Sequence, residues 1–218
     1  MHTVLLTDGE FTGLIHCLRV GFGSNIRIVS LSEDKYFAHQ KFSDAYYIVT
    51  DYQHPQYIPD LIKIIQMEQV DIVIPVATCS MELILTSEKI IRDQTGANIL
   101  SSPLPAITLA NNKAALYSDL LKIESLRCYV PSFLTVATGK ELGRATDSFP
   151  NQKECICIRQ LQGENAEGFQ IIARNPGPDA FFPAGMTSRR ISFAALSEQL
   201  LAMPEDKPFP PYMVCEYL

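Results

Sequence analysis

Ile58-Pro-Asp-Leu61-Ile62-Lys-Ile-Ile65-Gln-Met-Glu68-Gln-Val-Asp71-Ile-Val-Ile-Pro75-Val76 is the stretch that decides the fold. Its first half places Ile58, Leu61, Ile62 and Ile65 at i, i+3, i+4 and i+7, the stripe of an amphipathic helix. Its second half, Asp71 to Val76, is a short β-branched run bounded by polar residues and reads as a buried strand. A helix that leads directly into a buried strand is the repeating unit of an α/β sheet.

The alternation extends in both directions. Toward the N-terminus, Thr3-Val-Leu-Leu-Thr7, Ile26 to Leu31 and Ala45 to Thr50 read as strands. A helix from Glu10 to Val20, closed by Gly21-Phe-Gly23, joins the first two. Toward the C-terminus follow a helix over Met81 to Arg92 and a strand over Asn98 to Ser101. Such an order predicts a parallel sheet with right-handed crossovers. Ligands bind beyond the carboxyl ends of such strands, which puts Thr7 to Thr12, Ser30 to Glu33 and Val76 to Glu82 around one crevice. Asp8, Glu10 and Glu82 are its candidate polar contacts; Glu82 equally suits a solvated first-turn glutamate favoured by the helix dipole.

Ser102-Pro-Leu-Pro105 breaks the pattern. A helical pair follows, with Asn111 or Asn112 as N-cap before Lys113 to Leu121. After Tyr129-Val-Pro131 come a strand over Ser132 to Val136 and a helix over Gly139 to Ser148. Glu154 to Arg159 and Gly168 to Arg174 read as a hairpin, Phe193 to Met203 as a helix, and Tyr212 to Leu218 as a final strand. The expected fold class is therefore α/β: a parallel-sheet, Rossmann-like domain over residues 1–102, a helical connector over 103–129, and a small α+β unit over 130–218.

At 218 residues, the chain is long enough to bury a core without a metal or disulfide staple. Hydrophobic residues make up 47% and charged ones 19%, and the net charge is −6 with no block of like charges. A duplex-binding protein needs a basic face to neutralise phosphates, so no nucleic-acid partner is expected. Apolar runs are too short to cross a bilayer, and Met1 to Asp8 reaches an acid too early for a signal peptide. The six cysteines contain no Cys-x-x-Cys and read as buried free thiols, which suits a reducing cytoplasm.

Familiar phosphate-binding fingerprints are missing. There is no Gly-x-x-x-x-Gly-Lys-Ser/Thr, and the first strand is followed by Asp8-Gly-Glu-Phe-Thr-Gly13 rather than Gly-x-Gly-x-x-Gly. Gly21-x-Gly23 stands after the helix, where it caps rather than holds a pyrophosphate. His2, His16, His39 and His54 have no zinc-ligand spacing.

The order of parts is more informative. A βαβ domain of about a hundred residues leads into a helix opening Asn112-Lys113, then a small unit with Cys-Ile-Arg159, a glycine-containing loop and a terminal Cys-Glu216-Tyr-Leu218 strand. With Lys41-Phe-Ser-Asp44, Asp71-Ile-Val-Ile-Pro75 and Val130-Pro-Ser-Phe133, this resembles the N-terminal part of the ATP-grasp superfamily across essentially the whole chain. The branch it most resembles is that of the carbamoyl-phosphate synthetase large subunit and related carboxylate–amine ligases.

The resemblance makes residues 1–102 a pre-ATP-grasp domain and 130–218 the ATP-grasp lid. It implies that Lys113 reaches ATP phosphates from a helix start, where the dipole also favours anions. Arg159 stands at the lid-strand lysine that bridges the α and β phosphates, and keeps its charge with a different geometry. Gly163 and Gly168 belong to the loop whose amides close over the triphosphate, although Glu164 and Glu167 bring negative charge there. Glu216, Tyr217 and Leu218 match the hinge strand that holds adenine. Glu82 matches a carboxylate that holds substrate polar groups, with Asp8 and Glu10 of the same kind.

The implied cofactors are ATP and Mg²⁺, with the metal ligands expected beyond Leu218, on a large lobe supplied in cis or in trans. The implied partners are a small-molecule carboxylate and an amine or ammonia, with a homodimer left open. On this reading the 218 residues are inactive by themselves. The alternative is a non-catalytic, degenerate nucleotide-binding or regulatory module, or one subunit of a split enzyme.

Overall fold

The computed structural model describes residues 1–7, 12–36, 38–149, 155–161, 169–173, 189–192 and 208–216. The chain divides into two compact units, Met1–Thr108 and Leu109–Leu218. The expected helix over 193–203 lies outside the described residues.

The first unit is a five-stranded parallel sheet of order β3-β2-β1-β4-β5. Its strands are β1 (His2–Thr7), β2 (Ile26–Ser32), β3 (Ala45–Ile48), β4 (Ile72–Pro75) and β5 (Asn98–Ile99). Helices α1 (Thr12–Phe22), α2 (Tyr57–Glu68), α3 (Thr78–Thr86) and α4 (Glu88–Thr95) connect them. Successive residues of a strand face opposite sides of the sheet. Val4 and Leu6 accordingly pack with Ile28 of β2 and Ile15 of α1. Leu5 turns the other way, to Val29, Val73, and Leu61, Ile65, Ile84 and Ile91 of the remaining helices. Both faces are covered, and β1 and β2 are buried along nearly their whole length. Each fully buried Leu or Ile contributes roughly 1.5–3 kcal/mol relative to exposure.

The stripe read on α2 is the buried one: Leu61, Ile62 and Ile65 are in the core and Ile58 packs against it. Helix α2 stops where Gln69 turns left-handed at φ +50° and its N–H bonds back to Gln66 and Ile65. Helix α4 stops at Gly96, φ +75°, whose N–H donates to the Arg92 carbonyl at 2.8 Å. Among the described residues no helix is long and apolar enough to cross a membrane.

The second unit is a mixed five-stranded sheet of order β6-β10-β7-β8-β9. It comprises β6 (Phe133–Thr138), β7 (Cys155–Gln160), β8 (Gln170–Ala173), β9 (Arg189–Ser192) and β10 (Pro208–Glu216). All pairs are antiparallel except β8 with β9. One face holds Val136, Ile156, Ile158, Ile172 and Val214 against Leu142, Ala145 and Phe149 of the α7 region, with α7 spanning Gly139–Ser148. That helix opens with a capping box: Thr138 Oγ1 accepts from Glu141 N at 3.2 Å, and Glu141 Oε2 accepts from Ala137 N at 2.8 Å.

The structure differs from the sequence expectation in several places. The helix expected over Met81 to Arg92 is two helices, α3 and α4, meeting at Ser87, and β9 forms where the local pattern predicts no strand. Strand β10 begins at Pro208, four residues before Tyr212, with its register against β6 irregular between them. Pro210 and Pro211 cannot donate to a ladder, which is why this opening did not look like a strand. Of the cysteines, Cys17 on α1 and Cys128 are exposed; only Cys157 and Cys215 are fully buried among those whose side chains are described.

Candidate functional site

The face of the second sheet opposite α7 brings together several of the candidate residues. Alternation along β7 sends Ile156 and Ile158 into the α7 core and leaves Cys157 and Arg159 on the other side. Alternation along β10 does the same with Met213 and Cys215. Phe133, Leu161 and Phe169 complete an apolar floor, and Tyr117 packs against it.

Tyr117 belongs to α6 (Lys113–Leu120), which follows α5 (Leu104–Asn111). Asn112 caps α6, its side-chain oxygen accepting from Ala115 N at 3.1 Å. That cap fixes Lys113 in the first turn. The Lys113 N–H donates to the Leu161 carbonyl at 3.2 Å, and its Nζ donates to the same oxygen at 3.4 Å. The start of α6 is thus pinned to the residue just beyond β7. Burial, and then the positive charge of Arg159, hold Lys113 below the usual lysine range.

Arg159 reaches across to α6 as well. Its NH2 donates to the Tyr117 hydroxyl, and its guanidinium carbon lies 5.3 Å from the centre of that ring. Phe133 meets the same ring edge-on, with centroids 5.5 Å apart and planes at 76°. Arg159 Nε is buried and finds no acceptor among the described residues. A buried guanidinium N–H without a partner costs free energy and marks a direction from which an anion would be accepted.

Glu216 ends β10, half-buried, opposite Ile156 of β7, and its N–H donates to the Ser132 carbonyl at 3.1 Å. Gly163, Gly168, Tyr217 and Leu218 lie outside the described residues, as do Asp8 and Glu10. Glu82 sits half-buried on α3 of the first unit, where its carbonyl accepts from Thr86 Oγ1 at 2.7 Å. At the carboxyl end of β1, Thr7 Oγ1 is buried and has no partner among the described residues. The first unit has two open hollows among its described residues. One, of about 590 Å³, is lined by Thr12, Gly13, His16, Arg19, Lys41 and Phe42. The other, of about 610 Å³, is at the amino edge beside His2, Asp71 and Asn98.

Sequence reasoning passed over Tyr117. Its signal was its spacing of four from Lys113, which puts both side chains on one helix face. Among the described residues no three His, Cys, Asp or Glu side chains cluster as a metal site.

The two sheets in this order are similar in fold to part of several solved ATP-grasp enzymes. Three solved structures illustrate the likeness. N5-carboxyaminoimidazole synthetase from Staphylococcus aureus, complexed with ADP, matches with a TM-score of 0.56 at 12% identity, over 100% of this chain and 47% of its own. L-amino acid ligase from Bacillus licheniformis matches at 0.55 and 8%, over 100% and 44%. Biotin carboxylase from Campylobacter jejuni, in a beta-gamma-ATP complex, matches at 0.53 and 15%, over 99% and 45%. The chain spans about half the length of these structures, and at such identities the likeness is one of fold. No family model matches the chain, and no curated protein matches its sequence.

Proposed function

We propose that the chain is the first part of an ATP-dependent ligase that joins a carboxylate to an amine or ammonia through an acyl phosphate, in the manner of the carbamoyl-phosphate synthetase branch. One observation carries this reading. Lys113 Nζ donates to the Leu161 carbonyl just beyond β7, and Arg159 of β7 donates to Tyr117, one turn along α6 from Lys113, so two cations from different elements are brought together. Two like charges so placed repel, and a polyphosphate between them reverses the sign of that interaction. The orphaned Arg159 Nε supplies a further donor for the same anion.

In this reading Lys113 neutralises phosphate charge from the α6 N-terminus, and Arg159 bridges phosphates from β7. Glu216, Tyr217 and Leu218 form the adenine wall, and Gly163 and Gly168 let the loop close. When bound, ATP supplies the phosphoryl group that activates the carboxylate. The described residues orient it and offset its charge, the larger part of such catalysis. They offer no acidic cluster for Mg²⁺, whose ligands are assigned to the remaining lobe, in cis or in trans. Asp8, Glu10 and Glu82 are assigned to the carboxylate and amine substrates, residues 130–218 to a lid that closes over ATP, and a cytoplasmic homodimer belongs to the same proposal.

The test is an NMR titration with Mg-ATP of the wild-type chain and of K113M, R159M and K63M, the last on an exposed face of α2. Losing a charge-assisted hydrogen bond weakens binding by about tenfold or more, so K113M and R159M should each show that loss while K63M does not. Equal affinity in all four, or shifts confined to the first unit, would overturn the assignment. Binding that depends on both cations, without turnover once a complete lobe is present, would favour the non-catalytic alternative.

A further inference from the structure

We propose that Cys157 and Cys215 form a reversible oxidation site, closing to a disulfide across β7 and β10 when a small peroxide reaches them. The two residues are direct partners in the antiparallel register, Cys215 opposite Cys157, and their sulfurs lie 3.1 Å apart. Facing residues of an antiparallel pair have Cα atoms about 4.5–5.5 Å apart, inside the span a disulfide bridges. The sulfurs need to close by only about 1 Å to bond. Cys17 and Cys128, by contrast, are exposed and lie on α1 and in the turn before β6.

The surroundings divide the labour between the two sulfurs. The hydrogen bond between them, followed by burial, raises Cys157 far above the usual thiol range. The same bond lowers Cys215, and the nearby Arg159 charge adds to that. Either sulfur can attack while the other, 3.1 Å away, resolves; the Arg159 charge favours Cys215 as the thiolate. The Cys215 sulfur attacks one peroxide oxygen, forming S–O and breaking O–O, and the departing hydroxide takes a proton to leave as water. The Cys157 sulfur then attacks the sulfenic sulfur, forming S–S and breaking S–O, and the released hydroxide leaves as water with the Cys157 proton. Two thiols and one peroxide become one disulfide and two waters, with the two electrons passed to the peroxide oxygens. A dithiol reverses the bond by exchange.

Burial favours this product over others. At 5% and 2% exposure, Cys157 and Cys215 are closed to a second protein chain, so only a small oxidant can serve. A sulfenic acid at Cys215 meets its resolving thiol before a second oxidant arrives.

The experiment uses the reduced chain, treated with stoichiometric hydrogen peroxide, then unfolded and alkylated. Before alkylation, intact mass should fall by about two units per molecule, and peptide mapping should link residues around Cys157 to residues around Cys215. Both cysteines should alkylate about tenfold less than in the reduced control, and a dithiol should restore them. In a C17S/C79S/C128S/C155S background the same link should form, and adding C157S or C215S should abolish it. The wild-type map decides the matter even where a variant fails to fold. Full alkylation of both thiols, sulfinic acid on either without a link, or a link to a different cysteine would overturn the proposal.

Discussion

Arg159 and Tyr117 hold each other: the guanidinium carbon lies 5.3 Å from the ring centre while an NH2 proton goes to the ring's own hydroxyl. The aromatic face and the hydroxyl act on the same side chain from the same residue, so the rotamer of Arg159 is fixed from α6.

Tyr117→Phe keeps the ring and removes the acceptor, leaving a guanidinium donor unpaired. We expect a stability loss of about 0.5–1.5 kcal/mol in denaturant unfolding. Tyr117→Ala also removes the ring that Phe133 abuts, and should cost about 2–4 kcal/mol. Equal losses for the two variants would mean that the ring contributes nothing beyond its hydroxyl.

Lys113 gives a pH signature. Its folded pKa lies below the ordinary lysine value near 10.5, through burial first and Arg159 second. Charged Lys113 therefore destabilises the fold at neutral pH, and that penalty disappears as pH rises through its folded pKa toward 10.5. Wild type should gain stability relative to K113M between pH 7 and about 10. In R159M the Lys113 side-chain NMR titration should move upward; an unchanged midpoint would remove Arg159 as a cause.

Glu68 gives the opposite limb. Its Oε1 accepts from the Tyr47 hydroxyl at 2.5 Å, and its Oε2 accepts from Arg27 Nε and NH2 at 3.0 and 2.7 Å. The Tyr47 bond first, then the Arg27 bond, hold it below its ordinary value near 4.5. The stabilisation is complete above that value and is lost as pH falls through the folded pKa. Glu68→Gln should cost about 1–3 kcal/mol at pH 7 and flatten the acid limb of the stability curve. An acid limb identical to wild type would show that Glu68 does not shape it.

Residues 1–218 alone should bind Mg-ATP with millimolar or weaker affinity. Two charge-assisted contacts, Lys113 and Arg159, bring about 3–6 kcal/mol, against about 4 kcal/mol or more for ordering a flexible triphosphate. Micromolar affinity in calorimetry would mean that the site has donors beyond these two.

The first unit was legible because its signals are local. The Ile58–Ile65 stripe and the run after Asp71 each report a period within a dozen residues. Helix α7 was legible to its ends, from Gly139 to Ser148. The second sheet was less so. The pairing of Arg189–Ser192 with β8 is parallel and non-local, so neither a turn nor an alternation announces it. Lys113 and Arg159 were singled out as charges in a familiar order of parts, but nothing in the chain says that Tyr117 bonds one of them. The Cys157–Cys215 contact was hidden for the same reason: it depends on a register between strands 58 residues apart.

That register has a consequence for the order in which the molecule is made. Among the described residues β10 is the last strand of its sheet in sequence, yet it lies in the interior, between β6 and β7. The first unit has all its strands by Ile99 and can fold while synthesis continues. The second cannot: until β10 emerges, β6 and β7 each present an unpaired edge with apolar side chains on the α7 face. A ribosome that stalls anywhere between Gln160 and Pro208 therefore releases a chain with one finished unit and one adhesive half-sheet. Such nascent chains are the species on which a holding chaperone would act.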